Sequence, residues 1–114
     1  MTTRDRPNLL FVCSRNKRRS LTAEHLLRTS TACHVRSAGT EPSARVQVRA
    51  ADIEWADIVY AMQQTHVERL RDRRFRAALG NTPVVCLDIP DEYDFMDPEL
   101  VEILTSALSE YLDE

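Results

Sequence analysis

The residues best suited to chemistry lie between 13 and 20, in the run Cys13, Ser14, Arg15, Asn16, Lys17, Arg18, Arg19, Ser20. A thiol is followed after five residues by an arginine and then a serine, and four of the seven residues after the thiol are basic. Backbone N–H groups in a loop of this length can turn inward and form a nest for a tetrahedral oxyanion, and a following helix adds the field of its N-terminus. Arg19 offers a planar fork that can hold two phosphate oxygens at once, which a lysine cannot do. Cys13 would then sit beneath the phosphorus. A cysteine at a helix N-terminus beside arginines is favoured as the thiolate, which is the competent nucleophile. The same residues could instead be a small buried cysteine and a solvated basic turn. What decides between the two is where the run sits in the fold.

Leu9–Val12 is a short continuous apolar run closed by polar residues, the pattern of a strand buried on both faces. "SLTAEHLLRTS" follows with Leu21, Ala23, Leu26 and Leu27 at helical spacing, so Cys13 falls between a strand end and a helix start. "HVRSAGT" (34–40) reads as a second strand ending at Gly39, and Pro42–Ala56 as a helical or irregular connection. "DIVYAM" (57–62) reads as a third buried strand. "QQTHVERLRDRRFRAAL" (63–79) reads as a helix stopped by Gly80, and "TPVVCLDI" (82–89) as a fourth strand. In the last helix Asp97 caps, Pro98 occupies the first turn, and Leu100, Ile103, Leu104, Ala107, Leu108 and Tyr111 form the apolar stripe. Strands with continuous hydrophobicity alternating with helices imply an α/β fold, a three-layer sandwich with a parallel sheet between helices and right-handed crossovers. In such sheets ligands bind beyond the C-terminal strand ends, where Cys13 lies.

At 114 residues, the chain is expected to form a single domain spanning 1–114, and 43% hydrophobic with 29% charged residues is an ordinary globular composition. The absence of a long apolar run and of a leader-like start predicts a cytoplasmic protein without a membrane partner. Three widely spaced cysteines, Cys13, Cys33 and Cys86, fit neither a disulfide framework nor zinc knuckles. The net charge of -3 hides a segregation: residues 4–49 carry ten of the fifteen basic side chains, and residues 88–114 carry ten acidic ones and no basic one. That acidic stretch argues against duplex nucleic acid as a partner.

"FVCSRNKRRS" resembles the phosphate-binding loop of the low-molecular-weight protein tyrosine phosphatases. "VRSAGT" (35–40) is similar to the family's serine-alanine-glycine-threonine segment, and "IPDEY" (89–93) to its acid-bearing loop. The resemblance implies a four-stranded sheet in the order 2-1-3-4 and a cysteine-dependent phosphomonoesterase working through a phosphocysteine, with no cofactor or metal. It implies Cys13 as nucleophile, Arg19 as clamp, and Ser14, Arg15, Asn16, Lys17, Arg18 and Ser20 as the substrate-binding loop. Ser20 would steady the thiolate, and Asn16 would hold the loop's shape through Ser37.

Leaving-group departure also needs an acid, for which Asp88, Asp91, Asp94 and Asp97 are candidates. Asp97 reads as the helix cap, and the resemblance favours Asp91. Protein phosphotyrosine is the implied substrate and inorganic phosphate the product. A nucleotide or RNA-end phosphatase, or a noncatalytic phosphate-binding module, are the alternatives. An arsenate reductase would need further cysteines poised in sequence, which Cys33 and Cys86 do not provide.

The chain departs from the family pattern in four places, one of them Glu92, which follows Asp91 where the family has proline. Arg15 stands where a glycine is usual, so a left-handed backbone there would be strained. Arg18 replaces a second cysteine, which removes an oxidation switch. The connection between "SAGT" and "DIVYAM" is short, with Trp55 reading as a core anchor rather than a substrate wall. His25, His34 and His66 read as surface or capping residues, Cys86 as core, and "RLRDRRFR" (69–76) as a solvated face.

Overall fold

A computed structural model describes residues 6–112, so the expected domain limits at 1 and 114 lie outside the described residues. The sheet is built on β1 (Asn8–Cys13), which pairs in parallel with β2 (His34–Gly39) on one side and β3 (Ile58–Ala61) on the other. The fourth strand, β4 (Val84–Cys86), adds in parallel to β3 and completes the order β2-β1-β3-β4. The register runs Cys13 opposite Gly39 and Val12 opposite Ala61, so three strand ends meet at one edge.

The alternation of β1 divides the core into two halves. Leu9, Phe11 and Cys13 face α1 (Arg19–Leu27) and α5 (Pro98–Ala107), where they pack with Ala23, Leu27, Leu100, Leu104 and Leu108. Leu10 and Val12 face the other way, toward α2 (Ala50–Trp55), α3 (Gln64–Leu70) and α4 (Arg76–Leu79), contributed through Ile53, Leu70 and Leu79. Each fully buried leucine contributes roughly 1.5–3 kcal/mol, so both faces of β1 are held firmly and its C-terminal end is a fixed platform. Asp97 caps α5 by accepting from Glu99 N at 2.9 Å, with Pro98 in the first turn.

Three expectations are corrected. The single helix over 63–79 is two helices, because the Asp72 side chain accepts from Arg74 N at 2.9 Å and turns the chain between them. Gly80 ends the second at φ 48°, a left-handed value that suits glycine. The fourth strand is shorter than 82–89, and Cys86, expected in the core, is exposed. β4 is one of the two edge strands, and Val85 beside Cys86 is exposed as well. Cys33, in contrast, is buried in the half of the core that holds Phe11. Trp55 is half-buried under the Arg36 guanidinium, 4.2 Å from its ring centroid. No helix among the described residues is long and apolar enough to cross a membrane.

Candidate active site

Residues 14–18 leave the end of β1, curl, and enter α1 at Arg19. The carbonyls of Cys13, Ser14 and Arg15 accept from the N–H groups of Thr40, Glu41 and Arg45, all at 2.9 Å, so the chain after β2 braces the loop from behind. Gly39 makes this contact possible. A Cβ there would stand 2.5 Å from Ser14 O and 2.9 Å from Arg15 C, a collision with backbone that no rotamer could relieve.

The buried interior of the loop is a polar network with a definite direction. Ser37 Oγ donates to Glu24 Oε1, leaving its lone pairs for Asn16. Asn16 Nδ2 donates to Ser37 Oγ and to Ser20 Oγ, each at 2.8 Å. Having accepted from Asn16, Ser20 still has its own proton, which its Oγ, 2.9 Å from Cys13 Sγ, donates when the sulfur is a thiolate. Asn16 N donates to the same sulfur at 3.3 Å, so a thiolate there receives two hydrogen bonds. Cys13 is 3% exposed and Asn16, Arg19 and Ser20 are buried.

Arg19 is fixed on both sides. Its Nη1 donates to Gln63 Oε1 and to Ile89 O, each at 2.6 Å, and its Nε lies 3.7 Å from Asp91 Oδ1. Burial pulls its pKa down from the ordinary value, opposed by the charges of Asp91 and Cys13, and the group remains a cation as arginines do. With Nη1 occupied, Nε and Nη2 form the remaining donor edge. Above the sulfur lies a hollow of about 40 Å³ lined by Cys13, Ser14, Arg15, Lys17, Arg18, Arg19 and Asp91. The structure therefore gathers seven of the expected residues around one cavity and sets Asn16, Ser20 and Ser37 beneath it.

Among solved structures, the chain is similar to the YwlE arginine phosphatase of Geobacillus stearothermophilus, with 22% identity, a TM-score of 0.71, and 91% of this chain and 92% of that one covered. It is similar also to the tyrosine phosphatase Wzb of Escherichia coli K30 in complex with phosphate, with 20% identity, a TM-score of 0.73 and coverage of 92% and 95%. A low-molecular-weight phosphotyrosine phosphatase of Vibrio cholerae O395 matches at 24% identity and a TM-score of 0.71, with coverage of 91% and 95%. No family model and no curated protein sequence matches the chain. The chain has the low-molecular-weight phosphatase fold.

Within this phosphatase fold the concern raised by Arg15 is resolved by its neighbour. The loop's left-handed residue is Asn16, at φ 59°, while Arg15 is not among the residues of positive φ. Asparagine tolerates that conformation far better than arginine, and here its side chain is also the centre of the buried network. Among the acid candidates, Asp91 lines the hollow. Asp94 lies 3.9 Å from Arg18, Asp97 is spent on the cap, and Asp88 sits at φ 57° just after β4.

Two residues escaped the sequence reading as parts of the site. Gln63 holds Arg19, and His66, expected to be a surface or capping residue, is 2% exposed. His66 Nδ1 accepts from Gln63 N at 3.1 Å, a capping contact, but its Nε2 lies 3.0 Å from Ser14 Oγ in the loop. The signal available was the Gln63-x-x-His66 spacing at a helix start, which marks a reciprocal cap. Nothing local indicated that this cap touches residue 14.

Proposed function

We propose that this chain is a cysteine-dependent phosphatase that hydrolyses phosphomonoesters, with protein phosphotyrosine as its substrate, through a phosphocysteine intermediate. The observation that carries the reading is the convergence of Ser20 Oγ and Asn16 N on Cys13 Sγ, at the floor of a hollow walled by Arg19 and Asp91.

In the first step the Cys13 thiolate attacks phosphorus in line as the phosphorus–oxygen bond to the leaving group breaks. The Nε and Nη2 edge of Arg19, with the loop's N–H groups, binds the equatorial oxygens where charge accumulates. Asp91, protonated for this step, delivers its proton to the departing oxygen. A phosphoryl group on Arg19 Nε would compete with the 3.7 Å contact to Asp91 and turn that carboxyl toward the leaving group. In the second step Asp91 accepts a proton from water attacking the phosphocysteine, and inorganic phosphate and the Cys13 thiolate are released. The exposed cations Arg15, Lys17 and Arg18 at the rim favour substrates with acidic groups beside the phosphate. That rim also supports a second reading, in which a nucleotide or RNA-end phosphate enters the same loop.

The test is hydrolysis of p-nitrophenyl phosphate near pH 6, followed by a comparison of phosphotyrosine peptides with nucleoside monophosphates. Wild type should show a burst of one nitrophenolate per chain, and Cys13→Ser should lose on the order of 10⁴-fold in kcat. Wild type that binds phosphate yet releases no product would overturn the catalytic reading and leave an anion-binding module. Preference for nucleoside monophosphates over the peptides would replace the substrate assignment alone.

A further inference from the structure

His66 is a buried, titratable residue that the two chemical steps above do not use, and it touches the residue next to the nucleophile. The direction of its hydrogen bonds follows from elementary bookkeeping. The N–H of Gln63 can only donate, so Nδ1 of His66, 3.1 Å away, presents a lone pair. Burial and the nearby Arg19 charge lower the ring's pKa to about 4, so at neutral pH it carries one proton. That proton is then on Nε2, which donates to Ser14 Oγ at 3.0 Å. Ser14 receives this bond, and its own hydroxyl proton is left for another acceptor. Its side chain is half-buried and lines the hollow between Cys13 and Arg19.

We propose that His66 is a positioning residue that sets the polarity of Ser14, making its hydroxyl a donor aimed at the phosphoryl oxygens. The assignment rests on the phosphatase reading for its catalytic consequence, but not for its effect on anion binding. The alternative tautomer would draw Ser14's proton to the ring and turn serine lone pairs toward an anion, which is repulsive. The same turn of α3 supplies Gln63 Oε1 to Arg19 Nη1. One helix start therefore orients donors on both sides of the nucleophile, Ser14 and Arg19, from a position about fifty residues away in sequence.

The test measures inorganic phosphate affinity by calorimetry and kcat/KM for p-nitrophenyl phosphate in wild type, Ser14→Ala, His66→Asn and the double variant. Asparagine can still accept from Gln63 N, while it is too short to reach Ser14. Each single variant should weaken phosphate binding and kcat/KM by roughly ten- to hundredfold, the worth of a hydrogen bond to a charged group. The double variant should be no worse than Ser14→Ala alone, because His66 acts only through that hydroxyl.

Additive losses, or unchanged phosphate affinity in Ser14→Ala, would overturn the proposal. Should His66→Asn fail to fold, the wild-type ring still decides, through nitrogen-detected NMR. Protonated Nε2 with bare Nδ1 at pH 7 is expected, and protonated Nδ1 would overturn it. Wild type that binds phosphate without turnover would remove the phosphatase reading while leaving the affinity and NMR results to judge His66.

Discussion

The two loops that meet over the hollow are built in opposite ways. The loop from Ser14 to Arg18 is braced by three backbone hydrogen bonds at 2.9 Å, and its network residues Asn16, Ser20 and Ser37 are buried. The segment from Leu87 to Asp97 is tied near its ends, by Leu87 N to Ala61 O and Ile89 N to Met62 O, each at 2.8 Å, and by Met96 N to Thr22 Oγ1 at 3.0 Å. Between those ties Tyr93 packs against the core, but the carboxyl side chains are open, at 52% exposure for Asp91 and 92% for Asp94. The difference follows from what each loop must do. Donors aimed at a phosphoryl group help most when no reorganisation is needed at the moment of reaction. A carboxyl that must reach leaving groups of different shapes gains from a less constrained stretch of chain.

The contrast is broken most severely at Asp91. Asp91→Ala should lower kcat by roughly 10²- to 10⁴-fold, the usual worth of a general acid. The loss should be smallest for p-nitrophenyl phosphate, whose leaving group departs without much help, and grow for alkyl phosphates. A uniform loss across leaving groups, measured by steady-state kinetics on such a series, would mean that Asp91 only holds Arg19.

A smaller effect is expected at the rigid loop's support. Gly39→Ala puts a methyl group 2.5 Å from Ser14 O and 2.7 Å from Ala44 Cβ, so the loop and the 40–45 segment must part. Overpacking of this kind costs typically about 1–3 kcal/mol, read by chemical denaturation. Because Cys13 and Arg19 flank the displaced backbone, phosphate affinity should fall with stability. If stability drops while affinity is unchanged, the loop's shape does not depend on its brace.

The same contrast marks what could be read from sequence. Cys13, Asn16, Arg19 and Ser20 lie within eight residues, between a buried strand and a helix; spacing points to Cys13 and Arg19, and the family resemblance to Asn16 and Ser20. The sheet follows from apolar runs in a similarly local way. Asp91 could be placed near the site because it follows a strand end at the same sheet edge. Gln63 and His66 could not, since their partners Arg19 and Ser14 lie 44 and 52 residues away and the local pattern is only that of a helix cap. The break between α3 and α4 is not visible in the apolar pattern, because the Asp72 turn leaves the hydrophobic spacing intact. Cys86 lies exposed at the end of a three-residue edge strand, and an apolar run does not reveal which of its positions the helices cover.

The mildest perturbation is pH, and it acts on the buried ring of His66. His66 titrates near 4 in the folded protein against an ordinary value of 6.5, because burial and Arg19 disfavour the imidazolium. Above about pH 6.5 the ring is neutral whether the chain is folded or not, and stability does not depend on it. As pH falls toward 4 the unfolded chain binds a proton that the folded protein refuses. The contribution to unfolding free energy therefore declines, by at most about 1.4 kcal/mol per pH unit for one proton. Below about pH 4 both states are protonated and the decline levels off.

His66→Asn removes this titration while leaving the others, so the difference between the two proteins isolates it. Denaturant unfolding at pH 7, 6 and 5 should show the wild-type advantage shrinking over that range. Phosphate affinity in wild type should show no inflection assignable to His66 near 6.5, because the ring stays neutral and Ser14 stays a donor. An inflection there that disappears in Ser14→Ala would mean the ring ionises in the folded protein. The buried side of the site would then be as adjustable as the exposed one.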